Sequence, residues 1–452
     1  MHIKHHGAKT GVTGSCHELF IGNSSLLIDC GLFQGKEAQS SLNIDFPLDS
    51  VRALLLTHCH IDHVGRIPWL LAAGFHSPIY ATQATAALLP LLIEDGLKIQ
   101  LGLNSTQCQQ VTQRLHSLLK PIPFDCWVQL TLPSGELISI RFRPAGHILG
   151  SAYIEIKLPD SRIVVFSGDL GPRNTPLLVD PVSPERADVL VLESTYGDHV
   201  HESILHRQSR LKAILVRSLE DGGAIIIPAF SVGRTQELLF DLENILAELA
   251  EQNDPQLWSK IPVIFDSPFA AKITEQYNLY KQLWASEAKE RYIRGRHPLS
   301  FHQCVMVDSH EDHLALINRL KVSAEPAIIV ASSGMCTGGR VVNYLKELLI
   351  DERTDVILSG YQAKGTLGAE LATGTRQVTI DQQAVEVKAQ VHLLSGYSAH
   401  ADQKDLLAFV QQIKQGPDEI YLVHGEPDSQ TELAAKLLSV KTNLNVRLGY
   451  QA

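Results

Sequence analysis

The stretch Leu54-Leu55-Leu56-Thr57-His58-Cys59-His60-Ile61-Asp62-His63-Val64-Gly65 sets the reading of the whole chain. An apolar run, Val51–Leu56, has the length and composition of a buried strand and stops where His58, His60, Asp62 and His63 begin. Imidazoles and a carboxylate this crowded make a poor core but a good donor set, because zinc takes neutral imidazole nitrogen and carboxylate oxygen. Placing them at the end of a rigid strand fixes their geometry.

The same arrangement recurs downstream. Leu137–Arg143 leads into Pro144-Ala145-Gly146-His147, Arg162–Phe166 into Ser167-Gly168-Asp169, and Glu419–Val423 into His424-Gly425-Glu426. If these strands lie in packed sheets, their ends converge on one edge and His147, Asp169 and His424 join the first cluster.

Composition narrows the setting. The 452 residues suffice for two or three domains. Seven cysteines, odd in number and without a Cys-x-x-Cys pair, indicate neither a disulfide framework nor a thiolate zinc site. No apolar leader follows Met1, and no run of about 18 apolar residues occurs, so we expect a cytoplasmic protein without membrane spans. His2, His5 and His6 read as part of a first strand. Lys and Arg number 39 against 49 acidic residues, a net charge of −10, which runs against the basic footprint of nonspecific nucleic-acid binders. The nearest basic run is Lys289–His297, so we expect a locally basic cleft on an acidic body.

Organisation follows from where the strand-then-donor pattern is interrupted. Residues 1–195 and 385–452 are expected to form one split domain, the latter as strand Val385–Leu394, helix Asp402–Ile413, strand Glu419–Val423, helix Asp428–Leu437 and strand Asn445–Leu448. Residues 196–384 form the insert. Its short apolar runs Ala224–Ile227, Val263–Phe265, Ala327–Val330 and Val356–Leu358, with an amphipathic helix Thr235–Leu249, predict an open α/β domain with a parallel sheet. Two of its strand-to-helix turns, Ser231–Arg234 and Ser332–Arg340, are rich in small residues. With Ser231, Arg234, Ser333, Thr337, Arg340 and Lys364 they are candidates for phosphate binding, since free N–H groups and a helix dipole favour an anion there. No Walker-type motif is present.

The set Asp29, His58-x-His60-x-Asp62-His63, His147 and Asp169 resembles the first four motifs of the metallo-β-lactamase fold. Glu193 in Glu-Ser-Thr-Tyr-Gly, His400 in Ser-Gly-Tyr-Ser-Ala-His-Ala-Asp and His424 in Leu-Val-His-Gly-Glu resemble the three motifs of its nucleic-acid-processing branch, the β-CASP family. The resemblance covers nearly all of the chain, and implies an αββα metallo-β-lactamase sandwich with an inserted open α/β β-CASP domain.

It also implies chemistry. One zinc would be held by His58, His60 and His147, a second by Asp62, His63 and His424, with Asp169 bridging; manganese is the alternative metal. Two metals lower the pKa of a shared water so that it attacks phosphorus as hydroxide. Asp29 would orient a ligand imidazole, and His400, hydrogen-bonded to Glu193, would protonate the leaving 3′ oxygen, making Asp62, Asp169, Glu193 and His400 the catalytic set. Histidine in the last motif, His424, points to RNA, and the Ser-Ala-His-Ala-Asp form is similar to the cleavage-and-polyadenylation-factor type. We therefore expect endonucleolytic hydrolysis of single-stranded RNA by the compact bacterial form of the family, with homodimerisation open. A 5′-exoribonuclease, a DNA nuclease of the same architecture, a small-molecule metallo-hydrolase and a catalytically dead scaffold are the alternatives. One departure from the pattern is His199, where relatives usually carry Arg.

Overall fold

The computed structural model describes the chain except residues 253–254, 324, 361, 364, 442–443 and 452, and the side chains of 219–220 and 255–256. It divides into two compact units. The first comprises Met1–Asn174, Leu178–Val200 and His400–Ala452, the second Thr175–Leu177 and His201–Ala399.

Two sheets build the first unit. One has six strands in the order His2–His5, His17–Ile21, Ser24–Ile28, Val51–Leu55, Ile79–Thr82 and Leu119–Ile122. The other has seven, in the order Asn445–Leu448, Glu419–Val423, Val189–Glu193, Ile163–Phe166, Ala152–Lys157, Leu137–Pro144 and Val128–Thr131. Successive strand side chains point to opposite faces, so each strand divides its apolar residues between two cores. Val164, Phe166, Val189 and Val191 meet Leu26, Ile28, Ala53 and Leu55 of the other sheet. Val165, Leu190, Leu192, Ile420 and Leu422 pack outward against Leu406, Phe409, Leu433 and Leu437, which lie on helices Gln403–Gln411 and Pro427–Val440. Burial on both faces explains why these strands read as unbroken apolar runs rather than as alternations. Helix Gln83–Leu101 packs beside Ile79–Thr82 and Leu119–Ile122, completing the αββα layering.

Strand direction places the donors. Glu419–Val423, Val189–Glu193 and Ile163–Phe166 are parallel neighbours. Leu137–Pro144 runs antiparallel to Ala152–Lys157, itself antiparallel to Ile163–Phe166, so it shares their direction. The loops carrying His147, Asp169, Thr195 and His424 therefore leave the same edge of the sheet.

The second unit is an all-parallel six-stranded sheet ordered Cys304–Met306, Val263–Asp266, Ala327–Ala331, Ala224–Pro228, Asp355–Leu358 and Gln390–Leu393. Helix Arg234–Gln252 buries Leu238, Leu239, Leu242, Ile245, Leu246 and Leu249, the face expected from its periodicity. The strand expected over Val385–Leu394 is two pieces. Gln383–Glu386 makes a hairpin with Gln377–Ile380, and Gln390–Leu393 pairs with Asp355–Leu358. Residues 385–399, expected in the split domain, thus lie in the second unit, because hydrogen bonding to a sheet edge decides membership more than hydrophobicity does. Among the described residues no helix is long and apolar enough to cross a membrane.

Candidate metal centre

Asp29, Thr57 and the ligand loop assemble through backbone demands. Gly31 lies so close to the loop that a Cβ there would sit 1.5 Å from the Asp62 carbonyl oxygen. Asp29 and His424 adopt left-handed backbone, φ 61° and 52°, a conformation that costs a non-glycine residue about 1 kcal/mol or more and is retained where geometry is functional.

Hydrogen bonds then aim each imidazole. The Thr57 amide and hydroxyl donate to Asp29 at 2.8 and 2.7 Å, and the other contact of Asp29 is His63 Nδ1 at 2.8 Å. His63 thereby donates its Nδ1 proton to Asp29 and turns Nε2 inward. The Thr57 hydroxyl, already donating to Asp29, accepts from His58 Nδ1 at 3.1 Å and exposes His58 Nε2. Thr195 repeats the device: its hydroxyl donates to Glu193 at 2.7 Å and meets His424 Nδ1 at 3.1 Å, leaving His424 Nε2 inward. Threonines adjoining a ligand carry no distinctive sequence signal, and Thr57 and Thr195 were legible only once the fold brought them to Asp29 and His424.

Asp169 divides its carboxylate between two donor groups. Its Oδ2 lies 3.5 Å from His58 Nε2 and 3.4 Å from His147 Nε2, whose partner His60 Nδ1 is 2.9 Å from His147 and 3.2 Å from His58. Its Oδ1 lies 3.2 Å from His63 Nε2 and 3.7 Å from His424 Nε2, and those two nitrogens are 3.3 Å apart with Asp62 Oδ2 3.3 Å from His424. The donor atoms of His58, His60, His147 and Asp169 lie within 4.8 Å of one another, as do those of Asp62, His63, Asp169 and His424.

The residues fit divalent metal. Both Asp169 oxygens are buried and accept no hydrogen bond, an expensive state unless a cation satisfies them. Burial opposes ionising Asp62, yet His63 and His424 pull it down to about 2, and the surrounding imidazoles hold Asp169 well below the usual carboxylate range. Burial, reinforced by the neighbouring His63, keeps His58 neutral with its lone pair available. Zinc requires anionic carboxylates and neutral imidazoles, and since Asp169 and Asp62 raise the pKa of His63 and His424 against their burial, metal binding there releases protons.

Beside this cluster, Glu193 accepts from the Leu170 amide at 2.6 Å and from Thr195, and faces His400 Nδ1 at 3.2 Å. Burial disfavours charging His400, but Glu193 and Asp169 outweigh it and push its pKa up to about 9. Divalent cations on the adjacent donors act in the opposite sense.

The expected phosphate residues part company. Ser231 and Ser332 both approach Ser267, at 3.4 and 3.3 Å, while Ser333 and Thr337 hydrogen-bond each other within their loop. Arg234 is buried at its helix start. Arg340 is already engaged, its guanidinium bonding the buried Asp266 carboxylate at 2.5 Å and the Val307 and Asp308 carbonyls. That commitment makes it a fastening for its loop. Lys364 lies outside the described residues. The basic run Lys289–His297 is likewise an internal staple, with Arg291 and Arg296 both on Glu243. His199 is exposed beside Tyr196, ring centroids 6.0 Å apart. Of the N-terminal histidines, His5 lies 2.9 Å from His17 and His6 pairs with Glu18, within the first sheet.

Because Asp29 makes the short contact to His63 Nδ1, 2.8 Å against 3.5 Å for the Thr57 hydroxyl, Asp29→Ala is expected to weaken zinc binding by about 10- to 100-fold without unfolding the protein. Competition against a chromogenic chelator measures it, and unaltered affinity would remove Asp29 from the centre's support.

Comparison with known proteins agrees with this geometry. Residues 10–215 match the metallo-beta-lactamase superfamily, 235–371 the Beta-Casp domain, and 384–448 the Zn-dependent metallo-hydrolase RNA specificity domain. Ribonuclease TTHA0252 of Thermus thermophilus is 36% identical over 442 residues, 98% of this chain and 96% of that protein. Transcription termination factor FttA of Methanocaldococcus jannaschii is 30% identical over 95% of this chain and 67% of its own length. With two donor groups sharing one carboxylate at a common strand edge, and with similarity along nearly its entire length, the chain belongs to the β-CASP family of metallo-β-lactamase-fold nucleases, the zinc-dependent RNA-processing branch of that superfamily.

Proposed function

We propose that the protein is an endoribonuclease that hydrolyses phosphodiester bonds of single-stranded RNA, using two zinc ions and His400 as the acid. The observation that carries this is Asp169, which turns one oxygen to His58 and His147 and the other to His63 and His424. His58, His60 and His147 would hold one ion, Asp62, His63 and His424 the other, and Asp169 both. Zinc bound there supplies a water of lowered pKa and neutralises charge on the attacked phosphoryl group.

The chain's own residues do the rest. Asp29 and the two threonines engage the Nδ1 atoms of His63, His58 and His424, so that each Nε2 faces the cluster. Glu193, held by Leu170 and Thr195, takes the Nδ1 proton of His400 as a hydrogen bond and leaves Nε2 to deliver a proton to the departing sugar oxygen. Ser231, Arg234, Ser333 and Thr337 are proposed to meet RNA phosphates. RNA is favoured over DNA by His424 and by the match at 384–448 to an RNA specificity domain. The relative named as a ribonuclease covers nearly the whole chain, whereas those named as termination factors are longer than it.

The test is zinc-loaded protein with an end-labelled single-stranded RNA and its DNA counterpart, with Asp62→Asn as the blank. Internal RNA cuts absent from the blank are expected. A ladder from the 5′ end would replace the endonuclease by an exonuclease, cutting of DNA alone would overturn the RNA assignment, and intact substrates would remove the nuclease reading.

A further inference from the structure

The ligand loop is laced to its neighbours through the backbone. The carbonyls of Ile61, Asp62 and His63 accept from the amides of Leu32, Ser15 and Cys30 at 3.0, 2.8 and 2.7 Å, and the Arg66 amide returns a bond to the Cys30 carbonyl at 2.9 Å. The next carbonyl, that of Gly31, is taken by a side chain: Arg66 Nε donates to it at 2.8 Å. Arg66, just beyond the ligand loop, thus holds the two carbonyls that directly follow Asp29.

A guanidinium is an expensive choice for this place. Arg66 is only 2% exposed, its Nη2 is buried without a hydrogen bond, and among the described residues no carboxylate forms an ion pair with it. The Phe33 ring, its centre 4.7 Å from Cζ, offsets part of the cost of taking the charge out of water. A methionine could occupy much of the same space without that cost. What it could not do is hold the Gly31 carbonyl.

The grip secures a strained turn. Asp29 stands in left-handed backbone, φ 61°, and its carboxylate makes the 2.8 Å contact to His63 Nδ1. Such a conformation persists only where its surroundings over-determine it. We propose that Arg66 is a positioning residue for the metal centre: by holding the Gly31 carbonyl against the ligand loop it keeps Asp29 aimed at His63, and so sets how tightly the group of Asp62, His63, Asp169 and His424 holds its ion. This rests on that group binding zinc. Arg66 acts through the residues that follow Asp29 and touches no donor itself.

Arg66→Met is the informative variant, because it removes the side-chain bond to Gly31 while the backbone bond to Cys30 remains. Zinc alone is the probe, titrated against a chromogenic chelator, so the result does not depend on RNA cleavage. We expect the ion of the His63 group to be released about 10-fold more readily. The other ion should change less, since Asp29 meets His58 only through Thr57. Placed on top of Asp29→Ala, Arg66→Met should cost little more, because both act on one imidazole. Arg66→Lys keeps a cation that can reach one carbonyl and should show the same uneven loss more weakly, and it carries the test if the methionine variant does not fold. Unaltered affinity, equal loosening of both ions, or losses that multiply in the double variant would overturn the positioning role. Wild-type protein that takes up no zinc in this titration would remove the metal reading itself, a failure distinct from that of Arg66.

Discussion

Asp169→Asn protein should bind less zinc than the wild type and cleave RNA slower by about 10³-fold or more, the equivalent of several kcal/mol of lost charge stabilisation. The amide keeps the shape of the carboxylate but offers one acceptor instead of two and points an N–H group at imidazole nitrogens now lying 3.2 to 3.7 Å away. Both donor groups lose their shared member at once. Asp62→Asn touches only the group formed with His63 and His424, so it should spare the other ion. Elemental analysis gives zinc per chain, and single-turnover cleavage gives the rate. Full zinc content with near-normal cleavage in Asp169→Asn would show that the shared carboxylate is not a ligand.

His400→Ala separates chemistry from binding. We expect both ions to remain while kcat on RNA drops about 10²- to 10⁴-fold, the usual worth of a positioned acid. The sign of the pH effect follows from its environment. Glu193 and Asp169 raise the pKa of His400 to about 9 against its burial, so the proton it must give is present at neutral pH and lost as pH rises through that value. Neighbouring cations move that limb lower without changing its direction. The alkaline fall in rate should therefore vanish in the alanine variant. His400 also lies in a third donor group with Asp169, Glu193 and His424, so a variant that loses zinc would place His400 among the ligands instead.

Most of the donor cluster was legible in the sequence because its members sit just past apolar strands, and buried strands announce themselves as apolar runs. His58, His60, Asp62, His63, His147, Asp169 and His424 converge because the strands beneath them share a direction. Thr57 and Thr195 escaped notice since hydroxyls are common in turns and only tertiary contact reveals which acceptor they serve. Arg340 has an internal role that its sequence does not mark. A cation beside a glycine-rich turn suggests an anion from outside, but Asp266, 74 residues away, supplies one from within. Strand Gln390–Leu393 pairs with Asp355–Leu358, a placement its sequence does not mark, because an edge strand carries no sign of the sheet it joins.

The parallel pairing of Val189–Glu193 with Glu419–Val423 has a consequence for synthesis. His424 reaches Thr195 across 229 residues of chain, and chains emerge from the ribosome N-terminus first. A nascent chain exposes His58 to Asp169 long before the strand that brings His424 exists. Any product of interrupted translation or proteolysis ending before that strand lacks one imidazole of the second donor group. The second donor group is therefore complete only once the strand Glu419–Val423 has been made and has paired with Val189–Glu193.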